Sequence, residues 1–312
     1  MRAASFSEDR QPLKIDVVSV QSQVVYGRVG NNAAVPTLEA LGLTVAAVPT
    51  VVLSNIPSYP SIHGGALPVE WFDGYLQDLS ARGALNALRA VQVGYLGNAG
   101  QAVALRAWIE TLLANRPHLR VVIDPVIGDQ EHGIYSADGI ADVYRGGFTA
   151  LANGLTPNAF ELACLTGMPA DDLKGVVSAA RSLLTGRTEW VAVTSAVPDA
   201  WTPDEMWIVV VTERQVHLIR HPRVAVALAG TGDLFSACLS GHWLNGVALE
   251  AAAAMACEHV VRALRITELA QAKELVLPRW SFEPEPEEIF IHDITADFGH
   301  LTCAFAEPKE RS

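Results

Sequence analysis

Gly230-Thr231-Gly232-Asp233, followed at once by the amphipathic run Leu234–Asn245, is where this sequence places chemistry most openly. Two glycines allow a tight turn and close approach of backbone N–H groups to a ligand. Phe235, Leu239 and Trp243 recur at helical spacing behind them, so the turn should open a helix. A glycine turn at a helix N-terminus offers unpaired donors and a positive dipole end, which suits phosphate. Asp233 adds a carboxylate there. An acid is a poor phosphate ligand but a good base for a hydroxyl that attacks phosphorus. Two further acids, Asp124 and Glu161, could hold Mg²⁺ directly or through water, as nucleotide sites require.

These residues need a scaffold that brings them together. Ile15–Val20, Thr44–Val48, Val91–Val93, Val121–Ile123, Val191–Val193, Trp207–Val211 and Gln215–Ile219 read as strands. Helical patterns lie between them, near Ala33–Leu41, Val69–Leu79, Ala102–Leu113, Ala159–Leu165, Leu173–Leu184 and Ala248–Leu264. Such alternation predicts an α/β fold with a mainly parallel sheet covered on both sides. Trp207–Val211 and Gln215–Ile219 are separated by only Thr212-Glu213-Arg214 and read as an antiparallel edge hairpin. In open parallel sheets, ligands bind beyond the carboxyl ends of the strands. Ser22, Tyr95, Asp124, Thr156, Thr194 and Ser195 each follow an expected strand, and the Gly230–Asp233 turn joins the same rim. Asn158 reads as an N-cap with Glu161 at the third helical position.

Other mechanisms lack their residues. No G-x-x-x-x-G-K-[ST] occurs, no G-x-G-x-x-G follows the first strand, and no G-x-S-x-G elbow is present. His63, His132 and His221 fall in expected loops without a helix-spaced metal partner. The 312 residues carry a net charge of −12, which argues against a nucleic-acid or anionic-membrane surface. The four cysteines, Cys164, Cys238, Cys257 and Cys303, are scattered and read as free thiols. Neither a signal peptide nor a bilayer-long apolar run is evident, so a soluble cytoplasmic protein is expected. Residues 1–14 are expected to be a flexible segment and 15–278 the main domain. Residues 279–312 form an extension that begins with the acidic, proline-spaced Glu283–Glu288, with Ile289–Ile291 and Leu301–Phe305 apolar enough to dock.

From about Asp16 to Pro278 the chain resembles the ribokinase-like superfamily, and within it the pyridoxal (pyridoxine, pyridoxamine) kinases. The resemblance rests on Val20-Gln21-Ser22-Gln23-Val24-Val25-Tyr26-Gly27, Gly30-Asn31, Val48-Pro49-Thr50 with Leu53-Ser54-Asn55, and Gly94-Tyr95-Leu96-Gly97. It continues through Asp124-Pro125-Val126-Ile127-Gly128-Asp129, Thr156-Pro157-Asn158 with Phe160-Glu161-Leu162, and Gly230–Asp233. The last motif marks only the superfamily, whereas the Gln-Ser-Gln and Leu-Ser-Asn segments are specific to the pyridoxal kinase branch. The implied fold is three-layered, α/β/α. The implied activity is ATP-dependent phosphorylation of the 5′-hydroxymethyl group of B6 vitamers.

Carried over by residue, the resemblance implies that Asp233 is the catalytic base and that the N–H groups of Gly230, Thr231 and Gly232 face the γ-phosphoryl. Ser22, Ser58 and Tyr95 would line the vitamer site. Asp124, Thr156, Glu161, Thr194, Thr231 and the strip His221-Pro222-Arg223-Val224 would line ATP. Tyr135 and Glu161 would lie near the metal. Mg²⁺ with ATP, a monovalent cation (K⁺ or Na⁺) and a homodimer are also implied. Ser58 is a departure, because close relatives carry a histidine in this segment; His63, five residues on, is a candidate replacement. The alternatives are a hydroxymethylpyrimidine kinase and a vitamer-binding protein of the same fold without catalysis.

Overall fold

Short runs of Val and Ile with little room for helix-length apolar stripes become the strands of one ten-stranded sheet in the computed structural model, which describes residues 11–226, 228–278 and 288–298. The strands are β1 (Val17–Val24), β2 (Val45–Leu53), β3 (Gly64–Ala66), β4 (Ala90–Val93) and β5 (Arg120–Ile123). A separate two-stranded ladder, β6 (Gly128–Asp129) and β7 (Gly133–Ile134), follows. β8 (Gly154–Leu155), β9 (Trp190–Ala196), β10 (Glu205–Thr212), β11 (Val216–Pro222) and β12 (Phe290–Asp293) complete the set. The main sheet runs β12-β11-β10-β9-β8-β5-β4-β1-β2-β3. Its centre, from β2 to β9, is parallel.

Helices cover both faces. On one lie α2 (Val69–Ala81), α3 (Ala99–Asn115), α5 (Ala159–Thr166) and α6 (Leu173–Ser182), with the short α4 (Ile140–Val143) beside them. Phe72, Leu76, Leu105, Ile109, Leu162 and Val176 bury there against the sheet. On the other face lie α1 (Asn31–Ala40), α7 (Thr231–Leu244) and α8 (Leu249–Leu269). Phe235, Leu239, Ala253 and Ala256 meet Val122, Trp190, Ala192 and Val210. The three-layer expectation is met.

Several details differ from the sequence reading. The run behind the glycine turn is not amphipathic in use: every residue from Leu234 to His242 is buried, because α7 is packed between the sheet and both α1 and α8. The β10–β11 hairpin is antiparallel as expected but is not the edge. β12 pairs outside it, Leu218 opposite His292 and Ile219 opposite Ile291, so part of the C-terminal extension completes the sheet. Ile294 and Phe298, the latter in the short α9 (Thr295–Phe298), pack against the main core. At the opposite edge, β3 is a Gly-Gly-Ala strand with no β-forming side chains to betray it. Residues 1–10, Glu283–Glu287 and Leu301–Phe305 lie outside the described residues. Cys164, Cys238 and Cys257 are free, as expected; Cys303 also lies outside.

Candidate active site

The glycine turn is built as a helix-opening corner. Gly230 caps α7 with φ 96°, and a Cβ there would sit 1.9 Å from the Arg28 carbonyl oxygen, so only glycine fits. A Cβ on Gly232 would meet nothing closer than Asp124 Oδ2 at 3.7 Å, which leaves the first turn of α7 open toward that acid. Asp233 is half-buried, and its Oδ2 accepts a hydrogen bond from the Gly30 backbone N–H at 2.7 Å. That bond joins the start of α7 to the start of α1. In the sequence Gly30 stands only as part of the Gly30-Asn31 motif, with no local sign that its amide aims the acid.

Asp124 follows β5 and Glu161 lies in the first turn of α5; both are buried. Glu161 closes a reciprocal cap with Asn158: its N–H donates to Asn158 Oδ1 at 2.8 Å, and its Oε2 accepts from the Asn158 N–H at 2.9 Å. Its Oε1 accepts from the N–H groups of Ile127 at 2.9 Å and Gly128 at 3.4 Å. Burial still outweighs these amides and pushes the Glu161 carboxyl up to about 7. Burial also raises Asp124 well above the carboxylate range, with further push from Glu161 and Asp233 and a counteracting bond to Thr156. Asp233 is raised by burial and lowered by its Gly30 bond. Three acids thus share one rim, and among the described residues none is ion-paired with a Lys or Arg.

Two sheet irregularities sit on this rim. Gln21 pairs with Pro49 and Gln23 with Val52, so β2 carries an extra residue opposite Ser22. Val209 pairs with Val193 and Trp207 with Ala196, so β9 bulges at Thr194–Ser195. Ser195 there has φ 47°, a left-handed conformation unusual for serine. Bulges re-aim side chains and gather beside active sites. Ser22, Thr194 and Ser195 therefore lie within strands, not after them, each at or opposite one of these irregularities. Pro49, which cannot donate within a strand, is the signal that would have found the first bulge.

The remaining candidates divide. Tyr95 is half-buried after β4, and its carbonyl accepts from Thr50 Oγ1 at 2.7 Å. Thr156 Oγ1 donates to Ser236 Oγ at 3.3 Å, tying the rim to α7. Thr194 N donates to the Pro157 carbonyl at 2.9 Å. Tyr135 is half-exposed, and its phenol is raised by burial and by Glu161, Asp129, Asp124 and Asp233, which places it beside the acid cluster. His221 lies at the end of β11 and not in a loop; its Nδ1 is 3.0 Å from the Pro222 carbonyl, and burial lowers its pKa. Arg223 stands over the Trp201 ring at 5.7 Å, with Val224 next to it. Ser58 and His63 are exposed in the β2–β3 loop.

A metal ion would not find a ready-made cage: no group of three or more His, Cys, Asp or Glu side chains gathers around one point among the described residues. Both Glu161 oxygens are already engaged by amides. The donor set fits a hydrated cation that arrives on a polyphosphate and relieves the repulsion among Asp124, Glu161 and Asp233.

The phosphomethylpyrimidine kinase family model matches residues 30–277, most of the chain. The pyridoxine/pyridoxal/pyridoxamine kinase of Bordetella pertussis is 55% identical over 266 residues, covering 85% of this chain and 94% of that protein. The chain belongs to the pyridoxal kinase branch of the phosphomethylpyrimidine kinase family. Pyridoxal kinase PdxY of Rubrobacter xylanophilus is 32% identical over 264 residues, 84% of this chain and 91% of its own length. A pyridoxal kinase structure from Leishmania donovani in complex with ADP and pyridoxine superposes with a TM-score of 0.80 at 25% identity, covering 89% of this chain and 99% of that one. The acids and the glycine turn described above stand at the same end of the sheet as Ser22.

Proposed function

We propose that this chain transfers the γ-phosphoryl group of ATP to the 5′-hydroxymethyl oxygen of pyridoxal, pyridoxine and pyridoxamine. The observation that carries the reading is Asp233 itself: half-buried at the mouth of a glycine-opened helix, steered by the Gly30 amide and raised by burial. A raised carboxylate is a better proton acceptor, which suits a base that works late, once the attacking oxygen has become acidic. The vitamer oxygen forms its bond to phosphorus, the bond to the β-phosphate bridging oxygen breaks, ADP leaves, and the proton passes to Asp233. Gly230, Thr231 and Gly232 offer N–H groups at the positive end of α7 to the equatorial oxygens. Phosphoryl transfer asks a protein for this positioning and charge stabilisation above all.

Ser22, Ser58 and Tyr95 are assigned to the vitamer, with His63 in the same loop as Ser58. Asp124, Thr156, Glu161, Thr194 and the His221–Val224 strip are assigned to the nucleotide. When Mg²⁺ is bound it would neutralise the triphosphate; Tyr135 and Glu161 would stand near it, Glu161 through water because its oxygens hold three amides. A monovalent cation, K⁺ or Na⁺, belongs to the same reading. Residues 15–278 carry the chemistry, and the C-terminal strand extends the sheet. A homodimer belongs to the same reading, and the exposed apolar side chains Val52, Ile62, Val69, Trp71, Tyr75 and Val103 are ones that such an interface would cover. A cytoplasmic setting agrees with three free thiols and with the lack of any helix long and apolar enough to cross a membrane among the described residues.

The family model's description, phosphomethylpyrimidine kinase, keeps a methylpyrimidine substrate as the second reading, and hydroxymethylpyrimidine is the member of that class with a free primary alcohol. A coupled ADP-release assay across pyridoxal, pyridoxine, pyridoxamine and hydroxymethylpyrimidine separates the readings. Turnover is expected on at least one B6 vitamer. Turnover on hydroxymethylpyrimidine alone would overturn the assignment, and vitamer binding without any ADP release would favour a non-catalytic binding protein.

A further inference from the structure

Three segments far apart in sequence meet at one carboxylate. Tyr26, between β1 and α1, donates its phenol to Glu274 Oε2 at 3.1 Å. Tyr59, in the β2–β3 loop, donates to Glu274 Oε1. The two rings are 6.2 Å apart, and Lys273 Nζ stands 5.9 Å from the Tyr59 ring centre. Gly27, at φ 119°, completes the contact: a Cβ there would be 3.3 Å from Ile56 and 3.8 Å from the Glu274 side chain.

The β2–β3 loop is knitted at its base and loose at its tip. Ser54 N donates to the His63 carbonyl at 2.7 Å, His63 N to Ser54 Oγ at 2.9 Å, and Asn55 Nδ2 to the Ser61 carbonyl at 2.9 Å. This is the work of the Ser-Asn pair in the sequence motif. The tip, residues 57–60, is mostly exposed, and the Tyr59–Glu274 bond is its side-chain tether. Glu274 itself stands on firm ground. Its neighbour Leu275 is buried against Leu234, the residue after Asp233, and Val276 N donates to the fully buried Thr267 Oγ1 at 2.8 Å. The same β1–α1 segment that carries Tyr26 continues to Gly30, whose N–H aims Asp233.

We infer that Glu274 is a positioning residue for the vitamer: it clasps the loop tip bearing Ser58 and the β1–α1 loop onto the segment anchored beside Asp233. This rests on the assignment of Ser22, Ser58 and Asp233 to the vitamer side of the site. Among the described residues no hydrogen bond joins Tyr26, Tyr59 or Glu274 to Asp124, Thr156 or Thr194, so loss of the clasp should act more on the vitamer than on the nucleotide.

The test is steady-state kinetics on Glu274→Ala, Glu274→Gln and Tyr59→Phe, with melting temperature and thermolysin cleavage at the exposed Ser61–Ile62 bond of the same loop measured alongside. Expected for Glu274→Ala is a roughly tenfold rise in KM for the vitamer, a scale consistent with loss of a charge-assisted hydrogen bond. KM for ATP should stay within about twofold, melting should be near wild type, and cleavage at Ser61–Ile62 should be faster. Glu274→Gln, which keeps an acceptor, and Tyr59→Phe should be milder in the same direction. An unchanged vitamer KM in all three variants, or equal rises in both KM values with a lowered melting temperature, would overturn the inference. Should the wild type phosphorylate no vitamer, the functional reading fails, and the cleavage rate alone decides the clasp: unchanged cleavage in Glu274→Ala would overturn it, faster cleavage would uphold it.

Discussion

The two ends of the central sheet treat charge in opposite ways. At the amino ends of the strands, Arg89, Arg120 and Arg187 each have a partner within the protein. Arg120 donates to Glu189 at 2.7 Å and lies over the Trp243 ring at 4.9 Å. Arg187 donates to the carbonyls of Pro117 and Leu119, both at 3.0 Å, and Arg89 to that of Leu244. At the carboxyl ends, Asp124, Glu161 and Asp233 are crowded together, raised by burial, and left without a cation. One end has solved its electrostatics by folding. At the other, among the described residues, the acids have no cationic partner, and that is the end where a magnesium nucleotide and an alcohol are proposed to meet.

Substitutions at the two ends should therefore fail in different ways. Gly230→Ala forces a Cβ onto the Arg28 carbonyl at a positive φ, and disrupts the turn that presents the amides. Turnover should fall on the order of a hundredfold, the scale set by losing oxyanion-type donors, with a melting temperature several degrees lower from backbone strain. Gly232→Ala, with open space around its Cβ, should keep its melting temperature and weaken ATP. Equal stability losses in the two variants would break the account of the turn.

Asp124→Asn sharpens the contrast, since it removes a charge that the fold disfavours. It should melt higher than wild type above neutral pH and yet lose at least about tenfold in turnover, as expected when an electrostatic group of the site is neutralised. A drop in both would mean that Asp124 is structural.

The pH dependence follows from Glu161. Its folded-state carboxyl is raised to about 7, so its contribution to stability is complete below the ordinary glutamate range and is lost as pH rises through about 7. A magnesium nucleotide should offset that loss, raising the melting temperature more at pH 8 than at pH 6. An equal rise at both values would show that the acid cluster does not feel the ligand. The smallest effect belongs to the other end: Arg120→Met breaks a pair whose partners are 42% and 51% exposed, worth about 0–1 kcal/mol. Its kinetic constants should stay within about twofold of wild type.

How much of this was legible follows from what each residue does locally. The glycine turn, the Asn158–Glu161 cap and the alternating strands are local patterns, and they stand where the spacing put them. What escaped depends on neighbours remote in sequence. α7 looks amphipathic on its own, yet α1 and α8 bury its polar face as well. β3 and β12 are strands because an existing edge offered them hydrogen-bond partners, not because Gly64–Ala66 or Phe290–Asp293 demanded it. The bulges opposite Ser22 and at Thr194–Ser195 are mismatches between two strands, invisible in either alone. Gly30 as the donor to Asp233, and Glu274 as the acceptor for two tyrosines, span 203 residues in one case and up to 248 in the other.

The measurement that bears most directly on the central claim is made on Asp233→Asn, with calorimetric binding and turnover read from one preparation. Dissociation constants for pyridoxal and for a non-hydrolysable magnesium ATP analogue should stay within about threefold of wild type, while turnover falls by about two orders of magnitude or more, in line with losing a general base. Turnover within a few-fold of wild type, with both ligands bound, would contradict the assignment of Asp233 as the group that takes the proton.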